Sequence, residues 1–79
     1  MIRVTVPMLY RMRHIVQKLR SGYKVKTTII SDELEVSTRT VARDIENLIH
    51  YFGLPIVYDR HADTYKLINP TATDLELMS

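Results

Sequence analysis

Met8, Met12, Ile15, Val16 and Leu19 recur at i, i+4, i+7, i+8 and i+11, one apolar stripe on a 3.6-residue period. Arg11, Arg13, His14, Gln17, Lys18 and Arg20 lie opposite. The spacing predicts a first helix over residues 7–20, opened by Pro7 at its first position and closed by Gly22, which can take the left-handed conformation. Ahead of it, residues 1–6 alternate apolar and polar, as a short half-buried strand or a loose arm does. Residues 23–26 alternate around Val25 and predict a very short strand. Thr27 then offers a hydroxyl to the free N–H groups of a second helix over residues 28–34, with Ile30 and Leu34 facing inward. A helix that short is stable only by packing.

The most regular segment follows. Val41, Ile45, Leu48, Ile49 and Phe52 repeat the offsets of the first helix, Ser37 is an N-cap candidate, and Gly53 can end the run, so a third helix is expected over residues 38–52. Only Glu35, Val36 and Ser37 separate it from the second, the tight connection of a helix-turn-helix. Residues 55–58 and 64–68 alternate with β-branched and aromatic side chains and predict a hairpin, with Ile56, Tyr58, Tyr65 and Leu67 on its core face. Asn69-Pro70 ends it. Thr73 could cap one last turn or two over residues 74–78, with Leu75 and Met78 at i and i+3. Three helices followed by a hairpin make an α+β fold, the winged helix-turn-helix plan: an arm or strand at 1–6, the domain at 7–68, and a linker or short helix at 69–79.

Composition narrows what such a domain can do. At 79 residues a chain buries only about 60% of the surface it exposes unfolded, enough for one thin core and no sizeable enclosed active site. With no Cys there is no disulfide framework, no thiolate zinc site and no thiol nucleophile. No apolar run approaches the roughly 18 residues of a membrane span, and no signal peptide opens the sequence. A cytoplasmic protein, associated with the nucleoid through any DNA it binds, is the expectation. The formal net charge of +2 is unevenly placed: seven basic residues and no acid over residues 1–31, four basic and nine acidic residues over 32–79. Such asymmetry suits either a face that meets a polyanion or a solvated helix surface.

The more specific chemistry lies at the start of the third helix, where Thr38, Arg39, Thr40 and then Arg43 supply donors with no acid among them. A helix that enters the major groove needs small polar and guanidinium groups in its N-terminal turn. Arg39 can reach guanine O6 and N7, Thr40 a thymine methyl or a phosphate, and Arg43, at i+4 from Arg39, the backbone phosphate. Ser37 caps the helix, and the N–H groups it leaves free can meet a phosphate oxygen. Lys24, Lys26 and Thr27 beside the second helix, and Arg60 and His61 at the hairpin tip, are further candidate DNA contacts. Each has a duller reading as a cap, a polar tip or solvated charge, and Arg39 could instead pair with Glu35.

The run Val36-Ser37-Thr38-Arg39-Thr40-Val41-Ala42-Arg43-Asp44-Ile45, with Leu48, Gly53, Pro55-Ile56 and Tyr65-Lys66-Leu67, resembles the N-terminal winged helix of DeoR-like and WYL-domain bacterial transcriptional regulators. The resemblance covers roughly residues 8–68 and is most specific in 36–45. It implies a sequence-specific DNA-binding domain whose third helix reads the major groove and whose wing reaches backbone or minor groove. By position, Ser37, Arg39, Thr40 and Arg43 become DNA contacts, and Asp44 a structural partner of a basic residue. Glu35 stands where the family usually has Gly, and His61-Ala62-Asp63 where a Gly pair is common. The family usually continues into a ligand-sensing domain, so the chain is either a DNA-binding fragment or a small complete regulator.

The expected function is a bacterial or phage repressor that binds a double-stranded DNA operator as a homodimer, through residues 1–6 and 74–78, with a sensor domain or partner protein outside this chain. No membrane, cofactor or metal and no enzymatic role is expected. His14, His50 and His61 lack i, i+4 spacing, and Asp59, His61 and Asp63 suit a hairpin loop as well as a metal. A protein-interaction or dimerisation module is the rival, and would present apolar anchors on the third helix. An excisionase-like architectural binder shares the fold but bends its DNA.

Overall fold

The computed structural model describes residues 7–68. The arm at 1–6, the linker after Ile68, the turn at 74–78 and the dimer contacts assigned to these termini lie outside the described residues. Within them run α1 (Met8–Arg20), α2 (Thr27–Leu34), α3 (Thr38–His50), β1 (Ile56–Asp59) and β2 (Thr64–Leu67). The chain has the winged helix-turn-helix architecture.

The apolar stripes meet in one core. Met12, Ile15 and Leu19 of α1, Ile30 and Leu34 of α2, and Val41, Ile45 and Leu48 of α3 are buried with Val25 and Ile56. Ile30 and Leu34 turn inward as their spacing requires. Met8, the first residue of the α1 stripe and of the helix itself, is half exposed.

Both strands pair antiparallel, Ile56 with Leu67 and Tyr58 with Tyr65. Val25 supplies a third, single-residue strand: it bridges Tyr65, the Tyr65 N–H donates to the Val25 carbonyl at 2.8 Å, and the Val25 N–H donates to the Thr64 hydroxyl at 2.7 Å. The short strand expected at 23–26 is thus one bridge that fastens the wing to the helices.

Four local expectations need correction. Pro7 does not open α1 from inside; at ψ 147° it is the extended N-cap, and its carbonyl accepts the Arg11 N–H at 3.0 Å. Thr27 does not cap α2. Lys26, extended at φ −129°, holds that place and its side chain makes no cap bond, so Thr27 is already helical. α3 ends at His50, not at Phe52. Gly53, at φ 65°, swings the chain back so that the Leu54 N–H reaches the Leu48 carbonyl at 3.1 Å, and Phe52 is left 60% exposed. Tyr58, placed on the core face of the hairpin, is 43% exposed: it points to the same side as Ile56, but nearer the tip it overhangs the core and packs edge-on against Tyr65, centroids 5.1 Å apart.

Candidate nucleic-acid interface

The turn into α3 is compact because two amides converge on one carbonyl. The N–H groups of Glu35 and Val36 both donate to Ser31, the latter at 3.1 Å. This geometry puts Glu35 in the left-handed region, φ 55° and ψ 44°, a conformation glycine enters without cost and other residues do not. Val36 then packs against the core. Ser37 takes the N-cap as its sequence position predicts. Its hydroxyl accepts the Thr40 N–H at 3.1 Å and shares a 3.0 Å hydrogen bond with the Thr40 hydroxyl. Thr40 is therefore half-buried and tied to the cap, with its hydroxyl already engaged.

Thr38, Arg39 and Arg43 are exposed on this first turn and the next. Among the described residues neither arginine has an ion-pair partner; the pairing of Arg39 with Glu35 does not form. The other side of α3 is anchored. Asp44, 1% exposed, accepts from Arg11 through two bonds, Nε to Oδ2 at 2.5 Å and Nη2 to Oδ1 at 3.1 Å. The partner foreseen for Asp44 is thus Arg11, a residue of the polar side of α1 that turns inward. Its hydrogen bond to Asp44 is the main reason the Arg11 guanidinium titrates above its ordinary value. A bidentate, nearly dry pair of this kind fixes the rotation of α3 against α1 as well as its distance. Sequence pattern hid Arg11 because it lies among five other polar residues.

The candidates near the wing sit in a different setting. A cleft of about 280 Å³ between the start of α2 and the hairpin brings Lys26 and Thr27 beside Tyr58 and Tyr65. Here the charges are matched. The Lys26 ammonium donates to Asp63 Oδ2 at 2.5 Å, the Tyr58 hydroxyl donates to the other Asp63 oxygen, and Lys66 donates to Asp59 at 3.2 Å. Asp59 Oδ1 also accepts the backbone N–H groups of His61 and Ala62, at 2.9 and 3.2 Å. Those backbone bonds, Ala62 first and then the Lys66 contact, hold the Asp59 carboxyl below its ordinary value; Lys26 does the same for Asp63. The alternating Asp59, His61 and Asp63 thus build a turn, and among the described residues no group of three His, Cys, Asp or Glu side chains is placed to hold a metal ion. Arg60 and His61 are exposed at the tip, and Arg60 has no ion pair among the described residues. No described helix is long and apolar enough to cross a membrane.

A tight turn, a side-chain-capped helix locked to the core, two arginines aimed outward from it and a braced hairpin define a helix-turn-helix DNA-binding domain. A family model described as an HTH domain matches residues 11–65, more than two thirds of the chain, and the chain belongs to that family. No curated protein and no solved structure matches it.

Proposed function

We propose that the chain is a sequence-specific regulator of transcription, a repressor of the DeoR-like and WYL type, that inserts the start of α3 into the major groove of duplex DNA. The observation that carries this reading is the pair of exposed arginines without ion-pair partners among the described residues, Arg39 and Arg43, on a helix whose cap and buried Arg11–Asp44 pair are already satisfied internally. A charge with no partner among the described residues gives up only water on meeting phosphate or a guanine edge, whereas a paired charge must also break its bond.

Arg39, one residue inside the helix, takes the base edge; Arg43, a turn further, takes phosphate; Thr38, just before Arg39, offers a hydroxyl. The Thr40 methyl remains available to a thymine methyl although its hydroxyl is engaged. Arg60 and His61 reach backbone from the wing, and Lys26 and Thr27 contribute chiefly by shaping the wing cleft. The reading assigns the chain no catalytic step and no cofactor, and a homodimer would meet half-sites about one helical turn apart, 10 to 10.5 base pairs.

Selection from a randomised duplex pool, followed by titration of the enriched site, tests it. A preferred sequence should emerge, and Arg39→Ala should lose about 1 to 3 kcal/mol on that site while changing little on random DNA. Absence of any duplex binding at low salt would refute the reading in favour of a protein-docking module. Enrichment by bendability without base preference would favour the architectural binder.

A further inference from the structure

The sequence of α3 holds two acids, Asp44 and Glu46, in opposite settings. Asp44 is buried against Arg11, whereas Glu46 is exposed. Each residue of a helix is turned about 100° from the one before. Arg39, Arg43, Glu46 and His50, at i, i+4, i+7 and i+11, therefore share one stripe, and all four are exposed. Val41, Ile45 and Leu48, on the other side of the helix, are buried. Glu46 thus stands on the face that carries the two arginines. Reading helices of another DNA-binding class meet bases from positions spaced i, i+3, i+4 and i+7, and counted from Arg39 that span ends on Glu46.

A carboxylate in this place can pair within the helix, face the phosphates or face the bases. Pairing would take Arg43, three residues back, or His50, four residues on. Among the described residues Glu46 makes neither ion pair. Facing the phosphates sets like charge against like. The base edges are selective, because an ionised carboxylate only accepts. In the major groove guanine shows two acceptors, thymine an acceptor and a methyl group, and adenine a donor beside an acceptor; cytosine alone shows only a donor, its N4 amino group.

Resting on the reading of α3 as the helix that enters the major groove, we propose that Glu46 selects cytosine at one position of the site, the N4 amino group donating to its carboxylate. Seven residues at 1.5 Å each set Glu46 about 10 Å beyond Arg39 along the helix, which is about three base pairs at 3.4 Å a step. The cytosine lies that far from the guanine met by Arg39. Where no cytosine is in reach, the same charge opposes the phosphates, so Glu46 sharpens the choice of sequence and weakens general attraction.

Selection from a randomised duplex pool with the 79-residue chain, Glu46→Gln and Glu46→Ala tests the assignment. The parent should enrich a cytosine about three base pairs from the guanine whose preference Arg39→Ala relaxes. Glu46→Gln should turn that position to adenine, whose N6 and N7 a carboxamide meets together. Glu46→Ala should leave the position without preference, a loss of discrimination of about 5- to 150-fold there, with the rest of the site unchanged. Both variants should bind random duplex more tightly than the parent and keep a thermal midpoint within about 4 °C of it. A site identical in the parent and both variants, a cytosine that survives Glu46→Ala, no cytosine at that distance, or a clearly lower midpoint in both variants overturns the proposal while the Arg39 effect stands. A parent that enriches no sequence at all overturns the reading of α3 together with it.

Discussion

The turn into α3 and the tip of the wing each hold a non-glycine residue in the left-handed region, Glu35 and Asp63, both at φ 55°, and each carries basic residues close by. At the wing Lys26 and Lys66 are both paired. Asp63 takes Lys26 and the Tyr58 hydroxyl, and Asp59 takes Lys66 and two backbone N–H groups, so the tip holds itself in shape and its bound charges cancel. Among the described residues α3 has one ion pair, Asp44 with Arg11 behind the helix, and the exposed Arg39 and Arg43 have none. The difference separates two uses of charge in one small fold: matched charge gives shape, and unmatched charge on a rigid support gives a binding surface.

The severest way to break this contrast is to remove the support. Arg11→Met leaves a carboxylate buried without its partner and should cost about 3 to 5 kcal/mol in a urea titration, much of the stability of a domain this small. A loss below about 1 kcal/mol would mean that α3 is held by its apolar stripe alone.

The two left-handed residues offer a finer comparison. Glu35 makes no ion pair among the described residues, so Glu35→Gly relieves backbone strain and gives up only some unfolded-state entropy; it should raise stability by about 1 kcal/mol or slightly less. Asp63→Gly relieves the same strain but removes the anchor of Lys26 and Tyr58. Its thermal midpoint should fall below that of Glu35→Gly, and amide exchange should quicken around Tyr58 and Tyr65. Equal stabilisation by both would show that the Asp63 contacts do not hold the wing.

Acid should also separate the regions. Asp59 and Asp63 titrate below their ordinary 3.8 when folded, and Glu33, bonded to His14 and Lys18, below its ordinary 4.5. A carboxyl lowered on folding adds stability that is complete above its unfolded value and is lost as pH falls through the folded one. The thermal midpoint should thus owe no change to these groups between pH 7 and about 5, then fall below about 4. Asp63→Asn should start lower and show a shallower acid limb. A limb identical to that of the parent would remove Asp63 from the account.

Much of this architecture was readable from spacing. The stripes of α1 and α3, the Ser37 cap and the alternating hairpin follow from local periodicity and short-range bonding, which depend on few residues. What escaped depends on contacts distant in the chain. Arg11 turns inward because Asp44, 33 residues later, waits there. Lys26 displaces Thr27 from the cap position where the chain runs extended from the Val25 bridge into α2. Phe52 leaves the stripe because the helix stops two residues earlier, at a boundary set by Gly53 and the Leu48 carbonyl. For the site, residue type marked Arg39 and Arg43 correctly as exposed, but only the ion-pair pattern distinguishes them from Lys26 and Lys66.

That distinction is tested most directly by the salt dependence of binding to a random duplex. Arg39→Ala/Arg43→Ala should weaken binding and flatten the plot of log K against log salt by about 1, through the phosphate contact of Arg43, while Lys26→Ala/Lys66→Ala should leave the slope nearly unchanged. Equal slopes for the parent and the arginine variant, or a greater loss from the lysine variant, would contradict the account.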